Sequence, residues 1–192
     1  MELKETGIAI FAYNRPSHLR RVLIALEDYK IKNVNIFLGG PKNEMDKVCQ
    51  KEILFMLNTN NKIKSKIYKS KKNKGLAKSI TEGLSLMSKK FKNFIVLEDD
   101  CIPRKEFFYF IKKCLKKYEN RNDIDSICGY QLPELHKKNI NITSSIGLNN
   151  FISWGWATWS KKWNNYLKQK KKINFKNKNI KSKIKNAINN KN

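Results

Sequence analysis

Acidic residues are scarce in this chain: 16 Asp and Glu stand against 41 Lys and Arg, for a formal net charge of +25. From Leu135 to Asn192 there is no acid at all, against fourteen lysines. Such an excess suits nucleic acid, an anionic membrane face or a phosphorylated substrate. The chain is also crowded with Lys, Asn and Ile, as a biased genome would produce, and most of the lysine is read as surface filling without nucleic-acid binding. Paired cysteines are lacking as well. Cys49, Cys101, Cys114 and Cys128 form no CxxC motif, so they read as buried thiols, not zinc ligands or disulfides. No apolar run approaches the roughly 20 residues of a membrane span. The start, Met1 to Thr6, has neither the basic residues nor the apolar block of a signal peptide, so the expectation is a cytoplasmic protein.

What is present fits one domain with a tail: 192 residues, 40% hydrophobic. The most informative stretch is Phe94-Ile95-Val96-Leu97-Glu98-Asp99-Asp100-Cys101-Ile102-Pro103. Its apolar run is short and partly β-branched, as in a buried parallel strand. Three acids then stand where the strand leaves the sheet, the edge at which open α/β sheets bind ligands. Adjacent carboxylates repel one another, so a fold that gathers them has use for a cation. The plain alternative is a solvated turn with Asp100 capping the next helix.

Gly7–Tyr13 reads as a first strand, followed by the turn Asn14-Arg15-Pro16-Ser17, with Ser17 as cap of a helix burying Leu19, Val22, Leu23 and Leu26. Val34–Leu38 is a second strand, stopped by Gly39-Gly40-Pro41. A second helix carries Met45, Val48, Ile53, Met56 and Leu57, with Glu52 interrupting its stripe. Ile67-Tyr68 is a short strand candidate, and Asn73-Lys74-Gly75 opens a helix with Leu76, Ile80, Leu84 and Met87 in register. After the acids comes a helix with Phe107, Ile111, Cys114 and Tyr118, then a strand at Ser126–Tyr130. The alternation predicts an α/β fold: a mainly parallel central sheet with helices on both faces.

The parallel strands bring Ala12–Arg15, Gly39–Pro41 and Glu98–Asp100 to one rim. There Arg15 is a bidentate donor for phosphate oxygens, the glycines allow close backbone approach, and the carboxylates suit a hard divalent ion. Lys74 and Lys78 are candidates to assist. All four tryptophans lie between Trp154 and Trp163, and the cluster reads either as a core plug or as a platform for sugar C–H faces. Ile180, Ile184, Ala187 and Ile188 share one face of a basic C-terminal segment, read as a membrane-surface element, the start of further structure or a frayed tail.

FAYNRP after the first strand, NKGLAKSI opening a helix, LEDDCIP and WGWATW with its following KW together resemble nucleotide-sugar glycosyltransferases of the GT-A fold. The likeness covers about residues 7–163. It is closest to bacterial surface-polysaccharide transferases and more distant to the N-acetylglucosaminyltransferase I group. It implies a Rossmann-like GT-A domain over residues 1–167 and a basic tail over 168–192. It implies Mn2+ or Mg2+ held by Asp100. Ala12, Tyr13, Asn14 and Arg15 would line the base and phosphate pocket, with Gly39 at the turn after the second strand. Asn73, Gly75 and Leu76 would lie at the nucleotide-sugar edge, and Glu98 and Asp99 would contact ribose and donor sugar. Trp154, Gly155 and Trp156 would shape the donor or acceptor pocket.

The implied activity is hexosyl or N-acetylhexosaminyl transfer in polysaccharide biosynthesis, from a nucleoside-diphosphate sugar, most simply a UDP-sugar, to a glycan or lipid-linked acceptor. The implied location is cytoplasmic, with the basic C-terminal segment at the inner membrane face. The chain departs from the pattern twice. Relatives carry an acid in a DGP-like turn where Gly39 stands. They also carry a carboxylate base beyond the tryptophan loop, and here Glu134 and His136 are the nearest substitutes. That leaves open a chain that is a piece of a longer one, a base supplied from elsewhere, or a donor-binding domain without turnover.

Overall fold

The computed structural model describes residues 5–130 and 151–172. The elements are β1 (Thr6–Ala12), α1 (Pro16–Asp28), β2 (Asn33–Leu38), α2 (Glu44–Thr59), β3 (Lys64–Lys69), α3 (Leu76–Met87), β4 (Asn93–Glu98), α4 (Lys105–Lys117), β5 (Ile127–Cys128), β6 (Trp156–Trp159) and α5 (Ser160–Lys172). They form a six-stranded sheet in the order β3-β2-β1-β4-β6-β5. β1 pairs in parallel with β2 and β4, and β2 with β3. β6 runs antiparallel between β4 and β5.

Alternating strand residues feed two cores. Ile8, Ile10, Ile36, Leu38, Ile95 and Leu97 pack with α1, α2 and α4 on one face. Ala9, Phe11, Phe37, Phe94 and Val96 pack with α3 and α5 on the other. Strands buried on both faces read as continuous apolar runs, which is why β1, β2 and β4 were legible. The expected α/β fold, a mainly parallel sheet covered on both sides, is the one observed.

Several local expectations need correction. α1 begins at Pro16, whose ring presets the helical φ. Arg15, not Ser17, takes the N-cap position, and no side chain caps it. α2 is rotated from the expected stripe: Met45 is 69% exposed and Val48 also faces solvent, while Asp46 and Gln50 are buried. β3 runs over six residues where two were expected. β5 is shorter than expected, at two residues. Of the four free cysteines only Cys114 is fully buried, and Cys49, Cys101 and Cys128 are partly exposed.

β6 was not anticipated, because a tryptophan-rich WATW reads as a plug before it reads as a strand. It is both: Trp156 and Trp159 are buried in the sheet, and the Trp159 indole donates to the Leu115 carbonyl at 3.1 Å, satisfying a carbonyl at the end of α4. α5 runs from Ser160 to Lys172, across position 168. Among the described residues no helix is long and apolar enough to cross a membrane.

Candidate functional site

Because β1, β2, β3 and β4 are parallel, their carboxyl ends open on one rim, and the loops there are stitched together. The Gly39 N–H donates to the Ala12 carbonyl at 2.9 Å. Gln50, reaching over from α2, donates through one amide nitrogen to the Tyr13 carbonyl at 3.1 Å and the Gly39 carbonyl at 2.7 Å. Asn73 donates to the Gly40 carbonyl at 2.9 Å and accepts from the Gly75 N–H at 3.0 Å. A Cβ on Gly40 would stand 2.2 Å from the Lys72 carbonyl carbon, so glycine lets the β2 and β3 loops touch. Gly75, with φ of +75°, turns the chain into α3 in a conformation that suits no other residue as well.

The acids at the end of β4 differ in role. Asp99 is 2% exposed and accepts from the Tyr13 N–H at 3.2 Å and from an Arg15 guanidinium nitrogen in a short bond. Its own N–H donates to the Phe11 carbonyl at 3.0 Å, so the β4 exit is tied to the end of β1. Asp100, with its side chain 44% exposed, meets the other Arg15 nitrogen at 2.9 Å. The Glu98 carboxyl is half-buried. Burial pushes its pKa up, and the negative charges of Asp100 and Asp99 push it further, against the pull of Arg15. Arg15 pairs with two of the three carboxylates, Asp99 and Asp100, and acts on Glu98 through its charge alone. When all are ionised, two negative charges remain uncompensated at the rim.

Among the described residues no group of three or more His, Cys, Asp or Glu is arranged to hold a metal ion by itself. The rim is no ready-made protein cage. One exposed carboxylate, Asp100, with residual negative charge behind it, nevertheless matches a magnesium-like ion that brings its remaining oxygen ligands as phosphate and water. On that chemistry the residues present fit such an ion.

The other sequence candidates fall as follows. Tyr13 and Asn14 lie beside the acids, half-buried, and Ala12 contributes backbone only. Arg15 is committed to Asp99 and Asp100 in this state. Leu76 is exposed at the start of α3, and Lys74 is paired with Glu82 at 2.7 Å. Beside them, a cavity of about 130 Å³ lies between Gly39, Tyr68, Ser70, Lys74 and α3. Trp156 turns its ring into the core beneath Phe151, with centroids 4.9 Å apart. Trp154 is 55% exposed and stands edge-on to Tyr130 at 4.7 Å. The β4–β6 ladder ends at the Val96–Trp156 pair, and Trp154 lies just before the start of β6. Gly155, at φ +64°, places its backbone against the Phe107 ring. Glu134 and His136 lie outside the described residues, as do Ile180, Ile184, Ala187 and Ile188.

Sequence reasoning missed Asp46 and Gln50. The signal was there in Asn43-x-x-Asp46, an N-cap spacing, since the Asn43 side chain accepts from the Asp46 N–H at 2.8 Å. Both lie off the expected stripe; Glu52, the polar residue on that stripe, faces solvent and pairs with Arg20 at 3.7 Å.

No family model matches the sequence, and no curated protein matches it. Solved structures do. The mannosyltransferase of Pyrobaculum calidifontis, in complex with GDP-Man and Mn2+, superposes with a TM-score of 0.57 at 9% identity, over 81% of this chain and 44% of its own. A 4-diphosphocytidyl-2C-methyl-D-erythritol synthase from Anaerococcus prevotii gives a TM-score of 0.47 at 12% identity, over 85% of this chain and 78% of its own. This chain thus spans less than half the length of the mannosyltransferase, and what the two share is the fold: a Rossmann-like sheet of the GT-A type with helices on both faces.

Proposed function

We propose that this chain binds a nucleoside-diphosphate sugar along the rim and transfers the sugar to a glycan or lipid-linked acceptor, in surface polysaccharide synthesis. The observation that carries the reading is the convergence of Glu98, Asp99 and Asp100 with Arg15 on the edge where the β1, β2 and β3 loops are stitched together. The same fold in a mannosyltransferase holding GDP-Man and Mn2+ supports it.

Breaking a sugar–phosphate bond leaves a diphosphate whose negative charge grows toward the transition state, so charge neutralisation there accelerates the step. Asp100 would hold Mn2+ or Mg2+, which when bound supplies that neutralisation. Arg15 orients the acids now, and Lys74 and Lys78 add positive field at the mouth of α3. Gly75, with open space beside its Cα, gives the nucleotide close access to backbone. Trp154, exposed beside Tyr130 just before β6, offers a ring face to a pyranose.

A second reading, donor binding without turnover, rests on one observation: no carboxylate lies between Leu135 and Asn192 to serve as the base for the acceptor hydroxyl.

A thermal-shift screen tests the donor site. Nucleotide sugars of the uridine, guanosine, thymidine and cytidine series are compared with and without Mn2+. A ligand at a hundredfold its Kd adds about 2.7 kcal/mol, roughly 5–10 °C for a chain of this size. The expected result is such a shift for one series, present only with Mn2+. No shift with any donor contradicts the reading. Product analysis with the best donor then separates transfer or hydrolysis from binding alone.

A further inference from the structure

The rim holds one buried carboxylate for which the donor site described above has no use. Asp46 sits in the first turn of α2 and is 4% exposed. Its side chain turns away from its own helix toward the β1 loop. Oδ1 accepts from Asn14 Nδ2 at 2.7 Å. Oδ2 accepts from the Lys42 N–H at 2.8 Å and from the Tyr13 hydroxyl in a short bond. The Tyr13 bond, then the Lys42 N–H, hold the Asp46 carboxyl below the usual carboxylate range. The Tyr13 phenol is correspondingly pushed up, by burial and then by Asp46, so it keeps its proton and donates it in a hydrogen bond to the Asp46 carboxylate.

Tyr13 is thereby gripped at every polar atom. Its N–H is on Asp99, its carbonyl takes the Gln50 amide, and its hydroxyl is on Asp46. Its ring lies along Gly39, where a Cβ would stand 3.1 Å from the ring edge, with the Lys42 ammonium 5.9 Å from the centroid. A phenol so tethered has one orientation. Helix stability alone does not ask for this arrangement: the Asp46 N–H is already capped by Asn43, and a first-turn acid favours the helix dipole while pointing into solvent.

We propose that Asp46 is a positioning residue of the donor cleft: it fixes the Tyr13 ring and the Asn14 amide in the orientation in which they meet the nucleoside diphosphate. The proposal rests on the donor-site reading above. Asp46 itself touches no ligand. It acts through Tyr13 and Asn14, and its contribution is preorganisation, which appears in affinity because the free protein need not order the side chain on binding.

The test is a double-mutant cycle by calorimetry, titrating UDP and GDP, each with Mn2+, into the wild-type chain, Asp46→Ala, Tyr13→Phe and the double variant. Each single variant is expected to weaken the Kd about 5–10-fold, and the double variant no more than Asp46→Ala alone, because Tyr13→Phe cuts one of the links that Asp46→Ala already removes. Asp46→Asn, which keeps an oxygen to accept the phenol, is expected to recover part of the affinity. A purely structural role predicts something else: a lower melting temperature for Asp46→Ala with an unchanged Kd below that temperature. That result, or single effects that multiply in the double variant, overturns the proposal. If the wild-type chain binds neither UDP nor GDP, the cycle is run with the diphosphate of the series that gives the thermal shift; if no series gives one, the donor-site reading falls, and the proposal with it.

Discussion

Arg15 and Asp99 meet across 84 positions of sequence, one guanidinium nitrogen on the buried Asp99 carboxylate while the other reaches Asp100 at 2.9 Å. This fork is the joint between the β1 and β4 exits. It explains how three consecutive acids sit at the end of one strand: a single planar cation with two donor edges serves two of them.

Removing that cation leaves Asp99 buried with only a backbone N–H for company. Arg15→Met is expected to destabilise the fold by about 2–4 kcal/mol, toward the low side for a broken buried pair because Arg15 is itself half-exposed. Arg15→Lys, which keeps the charge but not the fork, falls between the variant and the wild type. Urea midpoints with a chelator present measure both. A loss under about 0.5 kcal/mol for Arg15→Met, the range of ordinary surface substitutions, contradicts the assigned role.

The indole of Trp159 bonds the Leu115 carbonyl at the end of α4. Trp159→Phe fills much of the same space and leaves that carbonyl, in a buried setting, without its partner. The expected cost is about 1–3 kcal/mol, read from thermal or urea unfolding. A neutral substitution would show that the α4 carbonyl is satisfied by solvent.

Asp46 gives the stability a signed pH dependence. Its carboxyl titrates below the ordinary range in the folded chain, chiefly because of the Tyr13 bond. The stabilisation it provides is therefore present above the usual aspartate value of about 4, and is lost as pH falls through the lowered value. Asp46→Asn is expected to be less stable than the wild type at about pH 6, with the gap narrowing as pH falls below the usual aspartate value of about 4. Urea midpoints across a falling pH series decide it. A gap that stays constant shows that the carboxylate charge is not what holds Tyr13.

Much of this was legible in the sequence because the parallel strands are buried on both faces. Runs such as Ile8-Ala9-Ile10-Phe11 and Phe94-Ile95-Val96-Leu97 admit few other readings, and strands of one direction must bring their ends to one rim. The proximity of Arg15 to the acids followed from that topology, but their direct pairing did not, because a guanidinium can face phosphate or carboxylate with the same geometry. β6 was hidden by composition: four aromatic and small residues at Trp156–Trp159 carry no alternation, and their strand character comes from the edge of β4 they cover. Asp46 and Gln50 were hidden by periodicity. Met45 and Val48 suggested an apolar face that faces solvent, while the face turned inward is polar where it meets the rim and apolar only from Ile53 onward.

The central claim is that Asp100 holds a divalent ion for a nucleoside-diphosphate ligand at this rim. The most direct measurement is calorimetric titration of the donor that gives the largest Mn2+-dependent thermal shift into the wild-type chain and into Asp100→Asn, each with Mn2+ and with chelator. The wild type is predicted to bind at least about tenfold more tightly with Mn2+, and the variant to show only the weaker, metal-independent affinity in both conditions. Equal affinity and equal metal dependence in the two proteins would contradict the account.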